Sequence, residues 1–240
     1  MSRIAVGTIL PSSNRVVERT TATLLRHLPG IDGCVARIPY APDGSGQPAG
    51  AYDTPSYATA ARLVGHAGVA AICWNGTRGA ALGLAADRAL AATLAAEAGC
   101  PATTTAIHAV ALLHRWKARR IALVMPGAAA EATPHAAGFA AEGIETLAVR
   151  GLGCPDNLSA AAVPPHAIAD AARALAAAAR PHAILVWSTN LPGLACMAPL
   201  EAELGLPVLD SAALGVAALL DLAGIGAAPL AGFGRLFAAP

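Results

Sequence analysis

Apolar and polar positions along this chain alternate on two scales. Short apolar runs such as IAVGTILP (4–11), GVAAIC (68–73), RIALVM (120–125) and AILVW (183–187) have the length of buried strands, and longer Ala-rich stretches between them have the length of helices. Strands and helices in regular alternation predict parallel sheets joined by right-handed crossovers. The run ending at Cys73 passes into WNGTRG (74–79), a polar loop with a glycine at its centre. Such a loop belongs at the lip of a sheet, where α/β proteins place their ligands.

The pattern occurs twice. LAAEAGCPATTTA (94–106) and LEAELGLPVLDSA (200–212) agree in register at Leu94 and Leu200, Ala96 and Ala202, Glu97 and Glu203, Gly99 and Gly205, Pro101 and Pro207, Thr105 and Ser211, and Ala106 and Ala212. Each copy reads as a helix stopped by a glycine, a strand entered through proline, and a hydroxyl residue, Thr105 or Ser211, capping the next helix. Upstream, RIAVGTILP (3–11) matches RIALVMP (120–126) and AAICWNGT (70–77) matches AILVWSTN (183–190), which sets Trp74 against Trp187. The expected fold is α/β, two pseudo-symmetric parallel-sheet domains with the active-site cleft between them. Ligands of such units lie beyond the carboxyl ends of the strands, so PSSN (11–14), NGT (75–77), PG (126–127) and STN (188–190) are expected to face one cleft.

Composition narrows the partner. A formal net charge of +1 gives no electrostatic footprint for nucleic acid or an anionic membrane. The Ala-rich stretch near 158–180 is broken by Pro164, Pro165, His166, Asp170 and Arg173, and the N-terminal apolar run leads into PSSN without a small-residue cleavage pattern. A cytoplasmic protein with a small-molecule partner is expected, and a homo-oligomer is compatible with this. The five cysteines form no Cys-x-x-Cys pair and read as buried free thiols. No histidine stands in a metal-ligand spacing, and AGIGAAPLAGFG near the C-terminus lacks the strand and glycine spacing of a dinucleotide fingerprint. No metal and no cofactor are predicted.

Loops that end strands and open helices offer backbone N–H groups to an anion, and carboxylates are their natural guests. The candidate contacts are Pro11, Ser12, Ser13, Asn14, Asn75, Thr77, Arg78, Gly127, Thr189 and Asn190. Asn14 can hydrogen-bond a carboxylate or enolate without changing charge, and Arg78 or Arg15 could clamp one. PSSN also reads as an ordinary turn and helix cap. Trp74 and Trp187 read equally as cleft wall or as wedges between sheet and helix.

PSSNRVVE (11–18), the two strand-end loops and the LxAExGxP repeat resemble the aspartate/glutamate racemase superfamily, in particular its maleate isomerase and arylmalonate decarboxylase branch. The resemblance spans essentially the whole chain, and Asn157 with Pro164 in GLGCPDNLSAAAVPP (151–165) is similar to another pattern of the branch. It implies a first domain of residues 1–104 plus 211–240, a second of 105–210, a cofactor-free site between them with Asn157 among its contacts, and small mono- or dicarboxylate substrates. The family's strand-end loops usually carry Cys-Thr, whose thiols act on opposite faces of the substrate. Here the pairs are Gly76-Thr77 and Ser188-Thr189, and Pro126-Gly127 stands where the family often has proline and tyrosine. Decarboxylases of the branch share the first glycine but keep the second cysteine.

A thiol is readily tuned to a thiolate, whereas a serine hydroxyl needs a neighbouring base. The expected function is a cofactor-independent lyase or isomerase of a small carboxylate, preferentially a decarboxylase of malonate-type substrates through an enolate-like intermediate. Ser188 is its catalytic candidate, and Gly76 leaves room on one face. A hydrolase or amide-cleaving enzyme is the alternative, which His135 or His166 would support by reaching Ser188; an inactive carboxylate-binding protein is the other.

Overall fold

A computed structural model describes residues 3–238 of the chain. The first half runs β1 (Ile4–Pro11), α1 (Val16–Leu25), β2 (Ile31–Ile38), α2 (Thr54–Gly65), β3 (Ile72–Trp74), α3 (Arg78–Leu82), α4 (Leu84–Ala98) and β4 (Ala102–Thr104). After α5 (Thr105–Arg115) come β5 (Arg120–Met125), α6 (Thr133–Ala141), β6 (Glu145–Gly151), α7 (Asn157–Ala161), α8 (Pro165–Ala179), β7 (Ala183–Val186), α9 (Met197–Leu204), β8 (Val208–Asp210) and α10 (Ser211–Leu222). Two four-stranded parallel sheets result, ordered β2-β1-β3-β4 and β6-β5-β7-β8, the α/β architecture that the alternation predicts.

The repeat has a physical reading in both copies. Gly99 and Gly205 take left-handed φ values of 70° and 74°, and each closes its helix with an N–H bond to the carbonyl four residues back, Ala95 or Glu201. Glu97 pairs with Arg62 on α2 and Glu203 with Arg173 on α8, so the repeated glutamates tie equivalent helices together. The caps fall one residue earlier than the hydroxyl pattern predicts. Thr104 Oγ1 accepts from Ile107 N–H at 3.1 Å and Asp210 Oδ1 from Ala213 N–H at 2.8 Å, while the Thr105 and Ser211 hydroxyls donate inward to Asn75 Oδ1 and Val186 O.

The helices that follow β4 and β8 exchange sheets. Ala109, Leu112 and Leu113 of α5 are buried with Ile121, Leu123 and Leu185 of the second sheet. Ala218 and Leu219 of α10 are buried with Val6, Ala71 and Cys73 of the first. Beyond α10 the chain returns to the second half, where Leu236 and Phe237 join the cluster around α5 and the Arg235 N–H donates to Glu201 of α9 at 2.7 Å. The segment 211–240 is therefore shared between the halves, with residues 239–240 outside the described part.

The match of Trp74 to Trp187 is off by one residue. Asn75 N–H donates to Ile9 O and Trp187 N–H to Val124 O at equivalent sheet positions, so Asn75 is the counterpart of Trp187, and Gly76 that of Ser188. A one-residue slip reverses the face. Trp74 accordingly packs with Tyr57 and Leu90 on the α2/α4 side, and Trp187 with Phe139 on the side covered by α5. Both indoles are 1% exposed and wedge between layers. Among the described residues no helix is long and apolar enough to cross a membrane.

Candidate active site

The loop after β1 is fixed from both halves. Asn14, 2% exposed, accepts the Val16 and Val17 N–H groups on Oδ1, each at 2.9 Å, and so caps α1. Its Nδ2 donates to Thr189 Oγ1 at 3.0 Å, across the two halves. Asn190 Oδ1 accepts from the Arg15 and Val16 N–H groups at 3.2 and 3.4 Å, its amide donates to Asn157 O, and Asn157 Nδ2 donates to Ser13 Oγ at 3.0 Å. The sequence-predicted Ser13, Asn14, Asn157, Thr189 and Asn190 thus form one hydrogen-bonded circuit around the start of α1. PSSN is both the cap and the junction.

Ser12 and Pro11 serve the loop's shape. The Ser12 hydroxyl donates to Tyr40 O and accepts Tyr40 N–H, and Asn14 N–H returns to Pro11 O. Arg37 on the edge strand β2 completes the support, its guanidinium donating to Ser12 O at 2.8 Å and Asn14 O at 2.9 Å while pairing with Glu18. Sequence reasoning missed Arg37, because an arginine in an alternating strand reads as a solvated edge; its approach to the Pro11, Ser12 and Asn14 carbonyls is visible only in three dimensions.

On the Gly76 side the space expected for a substituent is filled. A Cβ at Gly76 would lie 2.4 Å from Trp74 Cζ2 and 2.6 Å from Cε2, so the indole occupies the room next to the missing side chain. Asn75 is turned away from the loops: fully buried, it donates to Ala212 O at 3.0 Å and accepts from Thr105 Oγ1 at 3.1 Å, holding the starts of α10 and α5 together. Arg78 donates to Pro48 O on the loop between β2 and α2, while half-buried Thr77 opens α3. Beneath α3 lies Asp87, 0% exposed, accepting from Tyr52 Oη and Thr104 Oγ1 and touching the Cα side of Gly79. Burial pushes its carboxyl above the usual range, against the opposing pull of those two donors.

On the other side, Ser188 Oγ accepts the Asn190 N–H at 3.2 Å, and no histidine hydrogen-bonds to it among the described residues. His135 Nδ1 instead accepts the Trp187 Nε1–H at 3.1 Å, and burial lowers its pKa to about 4, so the ring is neutral near pH 7. Behind this loop Asp210, fully buried, accepts from Gly193 N–H at 3.0 Å as well as from its cap, and burial raises it to about 7. Neither spare thiol stands ready as a thiolate: Cys73 is buried and pushed up, and Cys196 Sγ donates to Pro165 O at 3.3 Å. At Gly127 a Cβ would meet the Glu131 carboxylate at 2.3 Å, so an acid crowds the position where a tyrosine is usual. The halves meet here too, for a Cβ on Gly138 of α6 would overlap Ala80 O of α3.

No group of three or more His, Cys, Asp or Glu side chains that could hold a metal ion occurs among the described residues. What the circuit of Ser13, Asn14, Asn157, Thr189 and Asn190 offers is neutral: amides, hydroxyls and N–H groups at strand ends, suited to a carboxylate or enolate.

The sequence profile of the arylmalonate decarboxylase family matches residues 52–237. This chain belongs to that family. Among solved structures, unliganded arylmalonate decarboxylase is similar at 27% identity with a TM-score of 0.81, covering 98% of each chain. The maleate cis-trans isomerase of Nocardia farcinica bound to TRIS is similar at 25% identity with a TM-score of 0.84, covering 98% of this chain and 97% of that one. The maleate isomerase Iso of Pseudomonas putida, 20% identical with a TM-score of 0.81 and 98% of each chain covered, shares the fold. No curated protein matches the chain significantly in sequence. The resemblance to the maleate isomerase and arylmalonate decarboxylase branch of the aspartate/glutamate racemase superfamily is thereby shown, and its similar structures are those of enzymes.

Proposed function

We propose that this chain is a cofactor-independent decarboxylase of malonate-type acids that works through an enolate-like intermediate. The observation that carries the reading is the Asn14–Thr189 bond, which joins the loop after β1 to the loop bearing Ser188 in a chain of the arylmalonate decarboxylase family. One substrate carboxylate is held by strand-end N–H groups, Asn14 and Thr189. The second leaves as carbon dioxide, and the electrons of the broken C–C bond pass to an enediolate whose oxygens those donors stabilise. Ser188 Oγ, accepting Asn190 N–H, keeps its own proton for the carbon, and water restores that proton. With Gly76 closed over by Trp74, chemistry is confined to the Ser188 face, which disfavours two-sided racemisation.

A hydrolase reading requires a base within about 3 Å of Ser188, and His135 is engaged with Trp187. The test is product analysis of purified protein with aryl- and alkylmalonates, maleate and simple amides. A single enantiomer of the monoacid is expected from a prochiral malonate. Turnover of maleate or an amide, with every malonate returned intact, would sink the reading.

A further inference from the structure

Arg3 and Arg120 open the two copies of the RIA repeat, and their surroundings differ. Arg3 is neutralised by Asp32, Nε to Oδ1 at 2.8 Å. Arg120 turns to an imidazole, its Nε and Nη2 lying 3.2 and 2.9 Å from His182 Nε2. Two guanidinium donors on one ring nitrogen need a lone pair there, so His182 Nε2 acts as the acceptor, and an imidazole supplies no negative countercharge. Glu145, the register partner of Arg120 in β6, makes no ion pair with it among the described residues.

Beside this pair, on the His182 side, the amino-terminal edge of the second sheet forms an open cavity of about 610 Å³, lined by Trp116, Lys117, His182, Pro207 and Arg235 among others. Arg235 is anchored through its backbone N–H by Glu201, a buried carboxylate that also accepts the Val208 N–H. Among the described residues no carboxylate is ion-paired with Lys117, Arg119, Arg120 or Arg235. Lys117 and Arg235 line the cavity, with the Arg120 guanidinium held beside it by His182, and a bound anion relieves the repulsion among these cations. Guanidinium forks match oxyanions bidentately, and the number of cations favours a guest with more than one negative charge.

We propose that this cavity binds a multivalent oxyanion of the phosphate class, held by Lys117 and Arg235, with the His182-bound Arg120 adding its charge from beside the cavity. It lies at the amino ends of β5, β7 and β8, the opposite end of the sheet from the strand-end loops, and does not depend on the proposed reaction.

The probe is inorganic pyrophosphate, titrated calorimetrically into the full chain at low, fixed ionic strength, with citrate in a parallel arm. Saturable one-site binding is expected, tighter for pyrophosphate than for citrate. Lys117→Ala combined with Arg235→Ala should weaken it at least tenfold. His182→Glu should do the same by giving Arg120 an acid such as Arg3 already has, whereas Arg26→Ala, remote from the cavity, should leave it unchanged. The substituted side chains are exposed, and circular dichroism checks each variant's fold. Absent saturation, equal affinity in the variants, or preference for citrate would each overturn the assignment.

Discussion

Trp74 and Gly76 occupy each other's space: the indole stands where the side chain of residue 76 would begin, 2.4 Å from its Cβ position. The glycine is thus required by packing on the α2/α4 side of the sheet as well as permitted by the chemistry. Gly76→Cys should destabilise the protein by about 1–3 kcal/mol, the usual range for overpacking. Adding Trp74→Leu should recover part of that loss, which urea unfolding of the single and double variants will show. Equal stability of wild type and Gly76→Cys would mean that the indole yields freely.

Ser188→Cys introduces a more acidic proton donor at the loop joined to Asn14. A rise of at least tenfold in malonate decarboxylation is expected, about 1.4 kcal/mol of transition-state stabilisation. Initial rates with chiral product analysis decide it. An inert cysteine variant, beside a wild type that turns over another substrate, would assign Ser188 to different chemistry.

Asn14 combines two functions that substitution can separate. Asn14→Ala removes the cap of α1 and the donor to Thr189, and should cost about 1–2 kcal/mol of stability and about 1–3 kcal/mol of carboxylate binding. Asn14→Asp keeps an acceptor for the Val16 and Val17 N–H groups but sets a negative charge beside the guest. It should fold nearly as stably and bind malonate poorly, a pairing that thermal melts and calorimetry can read.

Two buried groups give stability opposite dependences on pH. His135 titrates near 4 when folded against about 6.5 when unfolded. Its contribution is complete above the unfolded value and is lost as pH falls from about 6.5 through 4. Asp210 titrates near 7 when folded against about 3.9 when unfolded. Its contribution is complete below 3.9 and is lost as pH rises through 7. Denaturation profiles between pH 4 and 8 should show His135→Gln flattening the acid limb and Asp210→Asn the opposite slope.

We propose that the halves divide after residues 104 and 210. A fragment of residues 1–104 would then lack α10, which covers Val6, Ala71 and Cys73. It should remain unfolded alone and gain structure when a peptide of residues 211–240 is added, as followed by circular dichroism. Cooperative folding of 1–104 by itself would refute this division.

Much of this was legible in the sequence, because strand length, capping glycines and the repeated proline act locally. PSSN and STN could be brought together because strand-end loops of parallel units share one side of their sheet. Other features depend on distant partners: Arg37 reaches back to Ser12 and Asn14, and Asp87 bridges Tyr52 and Thr104. Trp74 and Trp187 misled for a different reason. Identical letters invited an ungapped match, but the sheet aligns Gly76 with Ser188 and so sends the two indoles to opposite faces.

The exchange of α5 and α10 also gives the chain a dimer-like symmetry. Two copies of one unit, each with its last helix laid on the other's sheet, have the arrangement of a helix-swapped homodimer contained in a single chain. Within one chain the two copies need not be alike, and here one strand-end loop carries a glycine under a tryptophan and the other a serine.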